Sequence, residues 1–251
     1  GKSSAIKAGL FPRLRRGAVT GSQDWFYAEI TPSAHPLEEL EVALLRVAVN
    51  PPPSLMEQLQ SGERGLLRAV RRLLPDDNTE LCLYIDQFEE TFTMVTDEGE
   101  RVALLNMLRV AADDPASRIR VVMSMRADFY DRPLSYPEFG ELVRQTTEVV
   151  LPLNRTELRE AIEQPAERVG LRLEQGLVEE ILIDVGDQPG TLPLLQYALT
   201  ELYEQREGHT LTRDAYHRIG GVSGALAKRA EQTYQSLSER DQRLTRQIFL
   251  R

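Results

Sequence analysis

The sequence predicts an α/β fold, in which a parallel sheet flanked by helices is followed by an all-helical region. Up to residue 152, short and densely apolar runs alternate with longer amphipathic stretches, and beyond it only the amphipathic pattern continues. Short runs that are apolar at nearly every position are typical of strands buried on both faces. Strand–helix–strand alternation favours a parallel sheet with helices on its two faces. The 251 residues, of which 41% are apolar, are enough for a sizeable core.

Four strands and five helices are predicted in the first part of the chain. The strands cover residues 25–30, 81–85, 119–125 and 149–151, where β-branched, aromatic and other apolar residues dominate. The helices cover residues 3–15, 36–49, 55–74, 99–113 and 133–145. Apolar residues recur there at helical spacing, as Leu104, Leu105 and Leu108 do in the fourth helix.

The second part of the chain is predicted to contain six helices, at residues 155–169, 174–186, 191–206, 212–219, 223–236 and 239–250. Asn154 and Glu157 have the spacing of a capping box before the first of these helices. Ser238 and Asp241 repeat that spacing before the last one. Glycine and proline in residues 186–190 separate the second helix from the third.

The charge balance and the single cysteine exclude several classes of protein. The chain has 30 basic and 39 acidic residues and a net charge of −9, so we expect no direct nucleic-acid binding. One cysteine, Cys82, excludes an internal disulfide and a cysteine-rich zinc site. No apolar run approaches the roughly 20 residues of a membrane helix, and no secretory leader is visible. We therefore expect a cytoplasmic protein without membrane contact and, because the chain begins at Gly1 instead of a methionine, a segment of a longer protein.

The first four residues, Gly1, Lys2, Ser3 and Ser4, match the second half of the phosphate-binding pattern G-x-x-x-x-G-K-[ST]. In that pattern a glycine lets the backbone approach phosphate oxygens, the lysine contacts the β- and γ-phosphates, and the hydroxyl binds Mg²⁺. Residues 5–10 continue as a helix, whose first N–H groups would face the anion. On its own, this short match also fits an ordinary helix start.

A second candidate site follows the predicted strand at 81–85. Asp86 comes directly after the strand, and Glu89 and Glu90 follow three and four residues later. Since ligands of open parallel sheets bind beyond the carboxyl ends of the strands, Asp86 is placed to hold Mg²⁺, directly or through water. Glu89 or Glu90 is a candidate general base for orienting the attacking water. The alternative is a solvated acidic turn, which the upstream Gly-Lys-Ser makes less favourable.

Two further residues are candidates on weaker patterns. Arg126 follows the strand at 119–125, where a guanidinium can stabilise negative charge on a phosphoryl group or report its presence. The alternative is a surface ion pair of Arg126 with Asp128 or Asp131. Pro193 lies in residues 190–195, a stretch that predicts a helix start with proline in the first turn and by itself no contact to a nucleotide.

Taken in this order, these stretches resemble the STAND class of P-loop NTPases, which is related to the NACHT and NB-ARC ATPases. The likeness is greatest to the bacterial STAND ATPases that precede WD-repeat propellers, and it covers nearly the whole chain. Residues 1–4 look like the end of the Walker A motif, 86–90 like Walker B, 125–130 like the sensor strand, 151–158 like the start of the helical lid, and 188–197 like the G-x-P motif.

The resemblance implies a P-loop NTPase core at residues 1–152, a helical lid at 153–208 and the start of a winged-helix subdomain at 209–251. It implies a signalling switch that binds ATP and Mg²⁺, hydrolyses ATP slowly and self-associates on activation. A C-terminal sensor or repeat domain would complete the protein. The implied site residues are Gly1, Lys2, Ser3 and Ser4 at the phosphates, Ser3 and Asp86 at the metal, Pro193 at the adenine, Arg126 at the third phosphate, and Glu89 or Glu90 as the base.

Two other functions stay open at this point. One is a catalytically inactive scaffold, although such a domain has no reason to retain acids beside Gly-Lys-Ser. The other is a metabolic kinase of the same superfamily, for which no acceptor-substrate motif is found. In the class that the chain resembles, the phosphate-binding loop follows a central strand. Without a strand before Gly1, two sheet edges would be unpaired, so we expect the 251-residue stretch alone to be unstable.

Overall fold

The computed structural model describes residues 1–49, 51–52, 54–76, 78–186 and 190–249 of the chain. The chain divides into two compact units, Gly1–Val150 and Leu151–Arg251, each with a hydrophobic core of its own. Residues 188 and 189 of the predicted G-x-P stretch lie outside the described residues, as does residue 250 of the last predicted helix.

A three-stranded parallel sheet is at the centre of the first unit. Its strands are β1 (Phe26–Ile30), β2 (Leu81–Ile85) and β3 (Ile119–Met123), paired in the order β1-β2-β3. The register aligns the first residues of all three strands, so their carboxyl ends lie level with one another. The predicted parallel sheet with helical connections is therefore confirmed.

Helices connect the strands of the first unit. Three helical segments follow one another without a break at its start, and together they form the first helix: Lys2–Ser4, Ala5–Leu10 and Phe11–Leu14. The other helices are Pro36–Val47, Leu55–Leu59, Gly65–Leu73, Glu90–Thr93, Glu98–Asp113, Asp131–Leu134 and Pro137–Thr146. Two short 3₁₀ turns occur as well, at Ser22–Asp24 and Ala127–Phe129.

Two of the predicted helices are interrupted in the structure. In place of the helix at 55–74 there are two helices, and the second begins at Gly65, where a side chain would overlap the Leu59 carbonyl oxygen. The helix predicted at 133–145 begins anew at Pro137, because the residue before a proline, here the extended Tyr136, disfavours helical backbone angles. Glycine and proline thus mark where a second helix begins within stretches that apolar spacing alone would continue as one helix.

Strand β2 is buried on both faces, as its continuous apolarity predicts. Leu83 and Ile85 belong to the main core of the unit. Cys82 and Tyr84 point to the opposite face, where they form a second cluster with Phe11 of the first helix. Burial raises the pKa of the Cys82 thiol to about 11. This second cluster holds the first helix against the sheet.

The strand predicted at 149–151 is not formed. Residues 147–154 have no regular secondary structure, and Val149, Val150 and Leu151 are 75%, 60% and 74% exposed. A strand requires a neighbour for its backbone N–H and C=O groups, and none of the described residues supplies one here. Apolar composition alone is therefore not sufficient. Strand β3 likewise ends at Met123, two residues earlier than predicted.

The prediction that the second unit is all-helical is wrong. Two strands of two residues each, β4 (Arg172–Leu173) and β5 (Thr210–Leu211), form a parallel pair. Segments this short do not produce a recognisable alternating pattern. The helices are Arg155–Arg168, Leu177–Val185, Leu192–Glu204, Arg213–Ile219, Gly221–Ser236 and Glu239–Phe249. Within the described parts of both units, no helix combines the length and the apolarity that crossing a membrane requires.

The predicted capping box at Asn154 is confirmed. The Asn154 side chain accepts hydrogen bonds from the backbone N–H groups of Thr156 and Glu157, at 2.9 and 3.0 Å. In return, Glu157 Oε2 accepts the Asn154 N–H at 2.8 Å. Ser238 and Asp241 also bond to each other before the last helix, at 2.7 Å between their side chains. Local polar signals therefore predict these two helix starts correctly.

Candidate functional site

The carboxyl ends of β2 and β3 bring two polar side chains to one edge of the sheet. Asp86 and Ser124 come directly after these strands. The backbone ladder continues through both, because their N–H groups donate to the carbonyls of Ile30 and Ile85, each at 2.9 Å. Asp86 is 5% and Ser124 7% exposed, and the Ser124 hydroxyl donates to Asp86 Oδ1 at 2.6 Å. The sheet edge thus carries a buried carboxylate.

The start of the first helix reaches the same edge through Ser3. The Ser3 hydroxyl donates to Asp86 Oδ1 at 2.7 Å, although 83 residues separate the two in the sequence. Gly1, Lys2 and Ser4 lie with Ser3 in the first turn of the helix, where Lys2 is half-buried and Gly1 and Ser4 are exposed. Two of the sequence-predicted site segments therefore meet in the structure.

The carboxylate of Asp86 receives four hydrogen bonds on one oxygen. Besides the two serines, the Tyr84 hydroxyl lies 2.8 Å and the Gln87 N–H 3.1 Å from Oδ1. Burial acts to raise the pKa of Asp86, but the hydroxyls of Ser124, Ser3 and Tyr84 outweigh it and lower the pKa to about 2. Asp86 is therefore a carboxylate throughout the neutral and mildly acidic range.

Tyr84 and Gln87 have roles at this edge that the sequence motifs do not predict. Tyr84 is fully buried, and burial raises the pKa of its hydroxyl, which stays a donor. A tyrosine two residues before the aspartate points to the same face of the strand, so the pairing had a signal in the sequence. Gln87 has a φ of 52°, and it is the one described non-glycine residue with a left-handed backbone. That conformation lets its N–H reach back to Asp86.

A lysine that is paired with a glutamate lies beside the other oxygen of Asp86. Lys7 Nζ lies 3.4 Å from Asp86 Oδ2 and forms an ion pair with Glu29, the second-to-last residue of β1. The hydrogen bond to Glu29, together with the charges of the two acids, raises the pKa of Lys7. Lys7 follows Ser3 by four residues, a spacing that places both on one side of a helix. Residues Ala5–Leu10 are π-helical, a rare geometry that is frequent at functional sites.

The two glutamates after Asp86 have different surroundings. Glu89 is 7% exposed, and its Oε2 accepts the backbone N–H of Arg126 at 3.2 Å. Glu90 is half-buried, and its Oε2 accepts the hydroxyl of Thr93 in its own short helix, at 2.9 Å. The structure thus brings Glu89, and not Glu90, into contact with the end of β3.

The Arg126 side chain forms an ion pair with Asp128. The sequence leaves such a pair open as the alternative to a phosphate contact. Nε and Nη2 of Arg126 donate to the two carboxylate oxygens of Asp128, at 3.1 and 2.7 Å. The hydrogen bond to Asp128, followed by its charge, raises the pKa of Arg126. The side chain is 63% exposed, so the guanidinium is accessible to a ligand. Its contact with a phosphate stays a prediction.

Pro193 belongs to the second unit. It lies in the first turn of the helix Leu192–Glu204, as the sequence predicts, and it is exposed. Its contact with adenine stays a prediction.

The oxygen atoms of Ser3 and Asp86 fit a magnesium ion. Among the described residues, no three side chains of His, Cys, Asp or Glu are grouped as a metal site of their own. Mg²⁺ is usually held by one or two carboxylates together with substrate phosphates and water, and not by a cage of protein ligands. One carboxylate and one hydroxyl, 2.7 Å apart at the start of a helix, agree with that pattern.

The whole chain matches one protein family. Comparison with curated proteins gives no match. The family model Novel STAND NTPase 1, nSTAND1, matches residues 1–251. The STAND class that the motifs predict is thereby confirmed, and the chain belongs to the family Novel STAND NTPase 1.

Proposed function

We propose that this chain is an ATP-binding, slowly hydrolysing module that switches between two arrangements according to its nucleotide. The observation that carries the proposal is the 2.7 Å hydrogen bond between the Ser3 hydroxyl and Asp86. It joins the helix that follows Gly-Lys to the carboxyl end of β2. Phosphates and the acid that supports the metal ion occupy these two places in nucleotide-binding α/β sheets. Family membership supports an NTPase, and the STAND resemblance favours ATP over GTP.

In this proposal the first turn of the first helix binds the phosphates. No described atom lies within 4 Å of the position that a side chain of Gly1 would take, so the backbone is open to a ligand. Lys2 supplies an ammonium group beside it. The N–H groups and the dipole of a helix start also favour an anion, and Ser4 adds an exposed hydroxyl.

Ser3 and Asp86 would hold Mg²⁺, which supplies positive charge against the phosphate oxygens. The low pKa of Asp86, about 2, keeps its carboxylate ionised. Tyr84 and Ser124 hold that carboxylate in one orientation through hydrogen bonds of 2.8 and 2.6 Å. The protein thus presents a charged oxygen that requires little rearrangement on binding.

We assign the general base to Glu89 instead of Glu90. The contact of Glu89 Oε2 with the Arg126 N–H directs this buried carboxylate toward the end of β3. Its other oxygen, Oε1, would take the proton of the attacking water. Glu90 is engaged by Thr93 within its own helical turn and is more exposed.

Arg126 is proposed to contact the third phosphate by exchanging Asp128 for it. An exposed ion pair such as Arg126–Asp128 contributes little to stability, because water screens both charges. A phosphate offers more charge and the same two-pronged geometry. After hydrolysis, the guanidinium returns to Asp128. Its position then depends on which nucleotide is bound.

The proposed switch also involves the second unit and self-association. Pro193 would lie against the adenine, and a C-terminal sensor domain would set the arrangement in the complete cytoplasmic protein. Turning a 1:99 equilibrium into 99:1 requires about 5.5 kcal/mol of differential affinity. A few charge-assisted hydrogen bonds of about 1.5–3 kcal/mol each are sufficient for that.

Isothermal titration calorimetry with ATP tests this proposal. Lys2→Ala should weaken ATP binding by more than about tenfold, because a charge-assisted contact is lost. The control Arg13→Ala removes a positive charge from the exposed side of the same helix and should leave affinity unchanged. Glu89→Gln should bind ATP but release less phosphate than wild type or Glu90→Gln. Equal ATP binding by Lys2→Ala would refute the assignment, and no ATP binding by the wild type would favour a scaffold.

A further inference from the structure

The ammonium group of Lys7 lies on the side of Asp86 that the hydroxyl groups leave open. It is 3.4 Å from Oδ2, whereas Ser3, Tyr84 and Ser124 all donate to Oδ1. We propose that Lys7 is a resident counter-cation of Asp86, which a divalent metal ion has to displace. Metal would then bind well together with nucleotide and poorly before it. This inference rests on the proposed function and adds to it a residue that regulates metal binding.

The two oxygens of Asp86 are not equivalent. Oδ1 accepts three hydroxyl groups and the Gln87 N–H, which is more than its two lone pairs accommodate ideally. Among the described residues, Lys7 is the partner of Oδ2. Oδ2 is therefore the oxygen that an incoming cation reaches, and the ammonium of Lys7 is in its way. Two like charges at that separation repel each other strongly where water is partly excluded.

Glu29 offers Lys7 a second position. From the second-to-last position of β1, it already forms an ion pair with the ammonium group. The side chains of Lys7 and Glu29 are 46% and 42% exposed, so neither is fixed by packing. Lys7 can thus leave Asp86 and keep one carboxylate partner. The strength of the Lys7–Glu29 pair then sets how easily Asp86 becomes available.

A bound nucleotide changes the competition between Lys7 and the metal ion for Asp86, because its phosphates are negatively charged. Phosphates at the start of the first helix would attract both the metal ion and the lysine ammonium groups, which lowers the repulsion at Asp86. Without phosphates, Lys7 offsets the charge of Asp86 at the oxygen that the hydroxyl groups leave open. A carboxylate that is already paired with an ammonium group has less attraction for a free divalent ion. Lys7 therefore acts as a positioning residue that keeps metal out until nucleotide arrives.

Mn²⁺ binding to the nucleotide-free protein, measured by electron paramagnetic resonance, tests the inference without relying on activity. Lys7→Met keeps the length of the side chain and removes its charge, so Mn²⁺ should bind about tenfold more tightly than to wild type. Lys7→Arg should bind Mn²⁺ as wild type does. Glu29→Gln should bind it more weakly, because Lys7 loses its alternative partner. The control Arg13→Met should not change the affinity.

Three comparisons decide the outcome. In Lys7→Met, a second change of Asp86→Asn should abolish the gain, which shows that the Mn²⁺ is at Asp86. Unchanged or weaker Mn²⁺ binding by Lys7→Met overturns the inference. If circular dichroism shows that Lys7→Met does not fold, Glu29→Gln is used in its place. Unchanged or tighter Mn²⁺ binding by Glu29→Gln then overturns the inference. Binding of a fluorescent ATP analogue in EDTA, with Lys2→Ala for comparison, tests the proposed function separately. Lys2-dependent nucleotide binding with no effect of Lys7 removes only the present inference.

Discussion

Each unit contains a buried tyrosine that donates a hydrogen bond to an aspartate, and the two pairs differ in what surrounds the aspartate. In the first unit, Tyr84 bonds to Asp86, which is 5% exposed and has three further donors on the same oxygen. In the second unit, Tyr216 bonds to Asp184 at 2.6 Å, and Asp184 is exposed. The Tyr216 hydroxyl also accepts the Val222 N–H at 3.2 Å.

This difference shows that the position in the fold, and not the residue pair, decides what a tyrosine–aspartate contact does. Asp86 is withdrawn from water at the carboxyl end of β2, the central strand, so its charge is weakly screened and available to a cation. Asp184 faces water, and its tyrosine links two helices through Asp184 and Val222. The first arrangement suits a ligand site, and the second suits helix packing.

The largest effect is expected from a change in the core of either unit. Leu83 in β2 and Leu202 in the helix Leu192–Glu204 are both 0% exposed. Replacing either by alanine should lower the free energy of unfolding by about 3 kcal/mol, because contacts are lost and a cavity remains. Hydrogen-exchange mass spectrometry should show faster exchange in the first unit for Leu83→Ala and in the second for Leu202→Ala. Faster exchange in both units for both variants would mean that the two units unfold together. The two tyrosine–aspartate pairs would then not have separate surroundings.

A smaller effect is expected when acid removes the charge of the first aspartate. The pKa of Asp86 is about 2 when folded and about 3.9 in an unfolded chain. Its contribution, between about 2 and 3 kcal/mol, is therefore present above pH 4 and lost as the pH falls from about 4 to about 2. In urea unfolding, the difference between wild type and Asp86→Asn should shrink over that range.

The control for the acid experiment is Leu83→Ala, whose effect should not depend on pH in this way. A constant difference between wild type and Asp86→Asn from pH 7 to pH 2 would contradict the description of Asp86 as a carboxylate held by hydroxyls.

The smallest effects are expected from removing the two tyrosine hydroxyls. Tyr216→Phe leaves the buried Val222 N–H without its acceptor and should lower stability by about 2 kcal/mol. Tyr84→Phe should cost about 1 kcal/mol, because Asp86 keeps its other three donors. The same change should raise the pKa of Asp86, so that its acid transition begins at a higher pH. Urea unfolding at pH 7 and pH 3 measures both. A larger loss of stability at pH 7 for Tyr84→Phe than for Tyr216→Phe would contradict this prediction.

The sequence was sufficient for those features that depend on local patterns. The parallel sheet follows from short apolar runs between amphipathic stretches. The meeting of Ser3 and Asp86 follows from two motifs that such a sheet places at one edge. The capping box of Asn154 and Glu157 is a purely local signal.

Features that depend on distant partners could not be predicted in the same way. The ion pair of Lys7 and Glu29 joins residues 22 positions apart, and each is an ordinary charged residue in its own segment. The apolar run at 149–151 carries no information on whether another strand lies beside it. Strands β4 and β5 are two residues long and leave no alternating pattern. In each case the missing information is the identity of the neighbour.

The left-handed backbone of Gln87 restricts which amino acids that position can accept. Glycine takes a φ of 52° freely, asparagine and aspartate tolerate it, and valine, isoleucine and threonine resist it. The Gln87 side chain itself is exposed. Substitution at this position is therefore limited by main-chain geometry and not by side-chain contacts. A residue whose side chain faces water can thus tolerate few other amino acids.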